Sequence, residues 1–181
     1  MSSATLNTDL NIAGKKVSSE IASLVFIISL AMLFATLFLG FSFYRFTATV
    51  WPPAGFERPS LLNPLISTFW VLSASVWGEL FYRRYLTKVF SKTFYSLALF
   101  SALAFLVSQV FFWRSLKGVG LLVSAGVYPS MLHAFTWVHA GHVVMAVGAW
   151  FFPRTENRSV INFWHFLSLI WILMFIILFL V

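Results

Sequence analysis

The chain has 181 residues, of which 60% are hydrophobic and 9% charged, and its formal net charge is +7. Soluble domains carry about 25% charged residues, so a water-soluble globule is excluded and the bilayer is the fitting solvent. The absence of cysteine removes disulfides, thiolate metal sites, iron–sulfur clusters and cysteine nucleophiles. The basic residues sit in short segments between apolar runs, with no stripe of stacking aromatics among them, so they set membrane orientation and imply no nucleic-acid partner.

Residues 1–20 read as a polar, mobile N-terminal tail, with Ser18, Ser19 and Glu20 as weak helix-start residues. Residues 21–181 read as one five-helix transmembrane domain. The first span is expected over 21–44, which carries no charge. It is too long for a signal peptide and no small-residue cleavage site follows it, so it is expected to remain in the mature protein. A loop over 45–60 contains Pro52, Pro53 and Pro59, which deny the backbone helical hydrogen bonds. Trp51 is expected at headgroup level. The second span is expected over 61–82, with Pro64 in its first turn, where proline is tolerated. Glu79 and Arg83 are four apart on it and can pair on one face. The third span is expected over 93–113, then a glycine-containing loop over 114–130, the fourth span over 131–152, a polar turn over 153–159 and the fifth span over 160–181.

Five spans put the termini on opposite sides. Lys15, Lys16, Arg83, Arg84, Lys88, Lys92, Arg154 and Arg158 fall on the side of the N-terminus, against Arg45, Arg58, Arg114 and Lys117 on the other. The basic excess predicts a cytoplasmic N-terminus and an outer C-terminus. The fold class is therefore an all-α, polytopic bundle of five transmembrane helices.

Chemistry-bearing residues are few. His133, His139 and His142 lie on the fourth span and His165 on the fifth. His139 and His142, three apart, share a helix face. Haem ligation needs two imidazoles at matched depth on facing helices, whereas His142 is mid-span and His165 near one end. The plainer reading is interhelical hydrogen bonding, worth about 0.6 kcal/mol on average in a membrane bundle. Glu79 reads either as an interfacial ion pair with Arg83 or as a functional carboxylate. No serine lies in a nucleophile elbow or triad pattern, and GVGLLVSAG lacks the lysine and the strand–helix setting of a phosphate loop. Intramembrane charges, broken helices and paired repeats, the marks of a carrier, are not evident. Small residues suited to close helix packing are Ser73, Ser75 and Gly78 on the second span, Ala104 and Ser108 on the third, and Gly141 and Ala146 on the fourth.

Several segments line up in order with one family. The first loop carries WPPAG at Trp51 to Gly55, followed by LLNPLISTFWVLSAS with Thr68, Leu72, Ala74 and Ser75 in step. The third span has FLVSQ, with Phe105 and Gln109. The fourth has HAGHVV, with His139, His142 and Val143. The fifth has FWHFLSLIW, with Trp164, His165, Phe166 and Trp171. In these elements, over about residues 21–181, the chain resembles subunit III of the haem–copper terminal oxidases, in its five-helix form. Three positions depart from the family pattern: where its members usually carry acids, this chain has Leu30 after Ser29, Phe112 three after Gln109, and Ser168 two after Phe166.

The resemblance implies a non-catalytic accessory subunit that packs on catalytic subunit I, in company with subunit II, binds membrane lipids and stabilises an oxygen-reducing, proton-pumping complex. It implies no cofactor on this chain, with haem and copper in the catalytic partner. Glu79, Arg83, Gln109, His139, His142, Trp164, His165 and Trp51 are then residues of helix packing or lipid contact. The implied location is the plasma membrane of a bacterium. Three other readings stay open at this stage: a subunit III-like companion of a nitric oxide reductase, a bis-His haem b anchor using His142 and His165, and a small transporter.

Overall fold

The computed structural model describes residues 3–87, 91–151 and 158–180. Among these there is no strand. Five α-helices follow one another: α1 (Ser3–Thr47), α2 (Leu62–Leu86), α3 (Lys92–Gly118), α4 (Val127–Trp150) and α5 (Arg158–Phe175), the last running on into a π-helical turn at Ile176–Leu180. The chain divides into two compact units, Met1–Thr36 and Leu37–Val181.

In the first unit, α1 begins at Ser3 and not near Ser18. Polarity keeps residues out of lipid, but Ala, Leu and Lys within this polar stretch are good helix formers, so it is polar and helical at once. The apolar stretch of α1 runs over Val17–Thr47, well beyond the ~20 residues a bilayer needs.

In the second unit, α2, α3, α4 and α5 close a ring in which each helix packs antiparallel to its two neighbours. The register is set by paired side chains. Asn63, Ser67 and Trp77 on α2 meet Ser115, Ser108 and Phe94 on α3. Thr68 and Ser75 on α2 meet Trp171 and His165 on α5. Tyr95 and Trp113 on α3 reach Trp150 and Thr136 on α4, and Trp150 and His139 on α4 meet Trp164 and Trp171 on α5. The ring is filled at its centre by Phe105, His139 and Trp171, whose rings lie 5.0–5.6 Å apart. Outside, α2 presents Leu65, Ile66, Phe69, Leu72 and Val76, the apolar exterior that lipid tails require.

The segment between α3 and α4 is shorter than the loop expected over 114–130. Helix α3 continues to Gly118 and closes with a double hydrogen bond, Leu121 N–H to the Leu116 carbonyl at 2.9 Å and Gly120 N–H to the Lys117 carbonyl at 3.2 Å. Gly120 takes φ +77°, the left-handed conformation this C-terminal cap requires, and Leu121 folds back into the core. The expected turn over 153–159 lies mostly outside the described residues, as do Lys88 and Arg154.

Four helices, α1, α2, α3 and α5, contain stretches long and apolar enough to cross a membrane. Helix α4 has the length, at 24 residues, but His133, His139, His142, Tyr128 and Thr136 lower its mean hydropathy. Four of those five are buried: Tyr128, His133, Thr136 and His139.

Candidate functional site

Polar side chains gather in two places in the bundle. The first is the end where α2 finishes and α5 begins. Glu79 accepts from Arg83 Nε at 2.9 Å one turn on, from Arg158 Nη1 at 2.8 Å across the α2–α5 interface, and from His165 Nε2 at 3.2 Å. His165 also shares a hydrogen bond with Ser75 through Nδ1 at 2.6 Å. One neutral tautomer satisfies both contacts, with Nε2–H donating to the carboxylate and the Ser75 hydroxyl donating to Nδ1. Arg158 lies over the Tyr82 ring at 5.3 Å. The Glu79–Arg83 pairing expected from their spacing is present. Spacing could not disclose Arg158 and His165, because only the antiparallel docking of α5 on α2 brings them to the same carboxylate.

The second gathering is a buried layer between α2 and α3. Gln109 donates from Nε2 to Ser67 Oγ at 2.9 Å, and Ser67 and Ser108 share a hydrogen bond of 2.8 Å. Asn63 donates to Ser115 at 3.1 Å nearer the helix ends. Trp171 Nε1–H donates to Thr68 Oγ1 at 2.8 Å, and Ser168 donates to the Val71 carbonyl at 3.3 Å, tying α5 to α2. These contacts lock register in a bundle whose apolar faces slide as easily on lipid as on one another.

The remaining expected residues fall out singly. His139 is fully buried against Phe105 and Trp171. His142, half-buried, donates from Nδ1 to its own helix carbonyl at Val138, 2.6 Å away. His133 bonds through Nε2 to the Leu121 carbonyl at 3.0 Å and pins the α3–α4 connection. Trp164 is buried against Trp150. Trp51 is half-buried, packed edge-on to Phe41 and Tyr128 with Arg45 above it at 5.0 Å. Gly78 packs closely, its missing Cβ position being 3.4 Å from the Trp150 ring, whereas Gly141 faces open space. The expectation that Gly141 serves close packing is corrected: polar and apolar residues are spread around α4, so its sequence does not disclose which side turns inward.

Among the described residues, no three His, Cys, Asp or Glu side chains are grouped to hold a metal ion. Both ring nitrogens of His165 are engaged by Ser75 and Glu79, so haem ligation there would first have to break those two bonds. All three positions where the resembled family keeps acids, Leu30, Phe112 and Ser168, are buried. Phe112 is buried edge-on to Phe179, and Ser168 is buried against α2.

No family model matches the chain. It is, however, similar over most of its length to curated proteins of one name. A cytochrome c oxidase subunit 3 of Candida parapsilosis is 25% identical, over 85% of this chain and 64% of that protein. One of Podospora anserina is 25% identical, over 97% of the chain and 72% of its own length. One of Thermostichus vulcanus is 27% identical, over 86% and 84%. The chain is similar to cytochrome c oxidase subunit 3. It spans less than two thirds of the Candida protein. The likeness agrees with the motif order on α3 to α5: Phe105, Gln109, His139, Val143, Trp164 and Trp171 are all buried. With four helices apolar enough to span, this relative of subunit 3 is a multi-pass membrane protein.

Proposed function

We propose that the chain is a non-catalytic, subunit III-like component of a respiratory terminal oxidase. It would pack against catalytic subunit I beside subunit II, bind lipid on its apolar exterior, and stabilise an oxygen-reducing, proton-pumping complex whose haem and copper lie in the partner. The observation that carries this reading is the likeness to cytochrome c oxidase subunit 3 across most of the chain. The interior supports it, because histidines and amides there are spent on tying helices together. The basic excess beside the Glu79 end supports a cytoplasmic N-terminus, and the proposed location is a bacterial plasma membrane.

Mild-detergent isolation, mass spectrometry of co-purifying chains and an optical spectrum test it together. A haem–copper subunit I in the same particle is the expected result. Isolation alone with a stoichiometric bis-His haem spectrum would overturn it in favour of a haem anchor. Phe112 and Ser168, in place of acids, relieve the chain of any proton-supply role, so a nitric oxide reductase as the co-purifying enzyme is the second reading.

A further inference from the structure

The end of α2 gathers more positive charge than its one carboxylate can use. Arg83, Arg84, Lys92 and Arg158 are all exposed, and among the described residues the ion pairs converge on Glu79 alone. The cations form an arc around the end of the helix. Arg158 lies over the Tyr82 ring at 5.3 Å on the α5 side, and Arg84 over the Phe94 ring at 5.9 Å on the α3 side. Arg83, next to Arg84, is paired with Glu79 through Nε at 2.9 Å, and Lys92 opens α3 just before Phe94. Membrane orientation asks only for charge here, which mobile side chains supply as well. These arginines are placed. Ring stacking holds Arg84 and Arg158 and removes part of the rotamer entropy that a partner would otherwise have to order. Glu79 takes Nε of Arg83 and Nη1 of Arg158, so each fork keeps N–H groups for a second acceptor.

We propose that this arc is a docking surface for an acidic segment of a partner polypeptide. An arginine fork matches a carboxylate through two parallel hydrogen bonds. Arginine and aromatic residues are enriched where protein interfaces concentrate their binding energy, and half-buried Tyr82, Tyr85 and Phe94 stand among these guanidiniums. The carboxylates come from aspartates or glutamates of a segment outside the lipid, since the arc sits where α2 ends and α3 and α5 begin. A field of one sign also speeds encounter with a partner of the opposite sign. A membrane headgroup is the competing anion, and it asks for charge but not for guanidiniums fixed on rings. The proposal rests on the reading of the chain as one component of an assembly.

The test places a benzophenone amino acid at Thr87, exposed just past Arg84, in the full chain in its native membrane. Photocrosslinking is followed by purification and mass spectrometry of the crosslinked peptide. That peptide is expected to come from another polypeptide and to hold several Asp or Glu side chains. Arg84→Gln, outside the Glu79 ion pairs, is expected to lower its yield about tenfold, as for loss of charge-assisted hydrogen bonds. Lys117→Gln, at the far end of α3, is expected to leave the yield unchanged. An unchanged yield in Arg84→Gln, or an equal loss in both variants, would overturn the proposal. So would a crosslinked peptide without carboxylates, a crosslink to lipid alone, or one to this chain's own residues 152–157. If Arg84→Gln does not fold, the otherwise unaltered chain carries the test: its yield should fall as salt is raised, and a salt-independent yield would overturn the proposal. A co-purifying haem–copper subunit with no acidic crosslink sinks this inference alone, whereas an acidic crosslink with no such subunit sinks the oxidase reading alone.

Discussion

Glu79 offers a measurable division of labour between two arginines. Arg83 is an i, i+4 neighbour whose side chain is 71% exposed, whereas Arg158 comes from another helix, is 48% exposed and rests on Tyr82. An exposed pair within one helix contributes about 0.3–0.5 kcal/mol. The Arg158 pair has less side-chain freedom to lose and joins two helices, so about 1 kcal/mol is expected, the top of the range for partly exposed pairs. Glu79→Gln should then cost about 1–1.5 kcal/mol, a fall in Tm of about 2–4 °C per kcal/mol for a chain of this size. Thermal unfolding in one detergent of Glu79→Gln, Arg83→Gln, Arg158→Gln and the two double variants gives both coupling energies directly. The Glu79–Arg158 coupling should be about twice the Glu79–Arg83 coupling or more, and both should shrink in high salt. An Arg83 coupling equal to or above that of Arg158 would refute the claim that this carboxylate ties α5 to α2.

Three other outcomes follow from the packing. Phe112→Glu, which restores an acid where the family keeps one, should lower the yield of folded protein sharply. It puts a carboxylate beside Phe179, at a cost of about 2–4 kcal/mol, whereas Phe112→Leu should cost under about 1.5 kcal/mol; equal yields would show that the site is wetter than its burial implies. Gly78→Ala should be neutral or raise stability by up to about 1 kcal/mol, because its Cβ meets Trp150 at ordinary contact distance, while Gly78→Leu should lose about 1–3 kcal/mol by overpacking. Paired melting curves decide that. His142→Ala should leave the haem content of the purified complex unchanged in its optical spectrum, since the ring bonds through Nδ1 to the Val138 carbonyl of its own helix; a lost haem would contradict the packing role.

Four of the five helices were legible because their apolar runs are long enough for a bilayer crossing, and Pro64 fell in the first turn of α2 as expected. The start of α1 was not legible, since a polar segment and a helical one are not alternatives. Glu79 with Arg83 could be read from spacing on one helix, but Arg158 and His165 needed the docking of another. The Ser67–Gln109 layer was half visible: Gln109 and Ser108 stood out in FLVSQ, while Ser67 is one hydroxyl among many until α2 and α3 are set side by side. The cavity lined by Arg45, Arg58, Tyr128 and Phe179 left no local signal, because these residues meet only when four separate chain segments come together.

Helix α4 has a consequence for how the chain is made. With three histidines, it is not among the helices apolar enough to cross a membrane by themselves, yet His133 and Thr136 find partners on α3 and on the connection leading out of it. The short capped link at Gly120 folds the connection back on the end of α3 and leaves little chain between the two helices. Biogenesis would therefore deliver α3 and α4 to the bilayer as a hairpin, the third helix chaperoning the fourth. A reporter placed behind α4 should cross the membrane efficiently when α3 precedes it and poorly when α4 stands alone, and equal crossing in the two cases would rule the hairpin out.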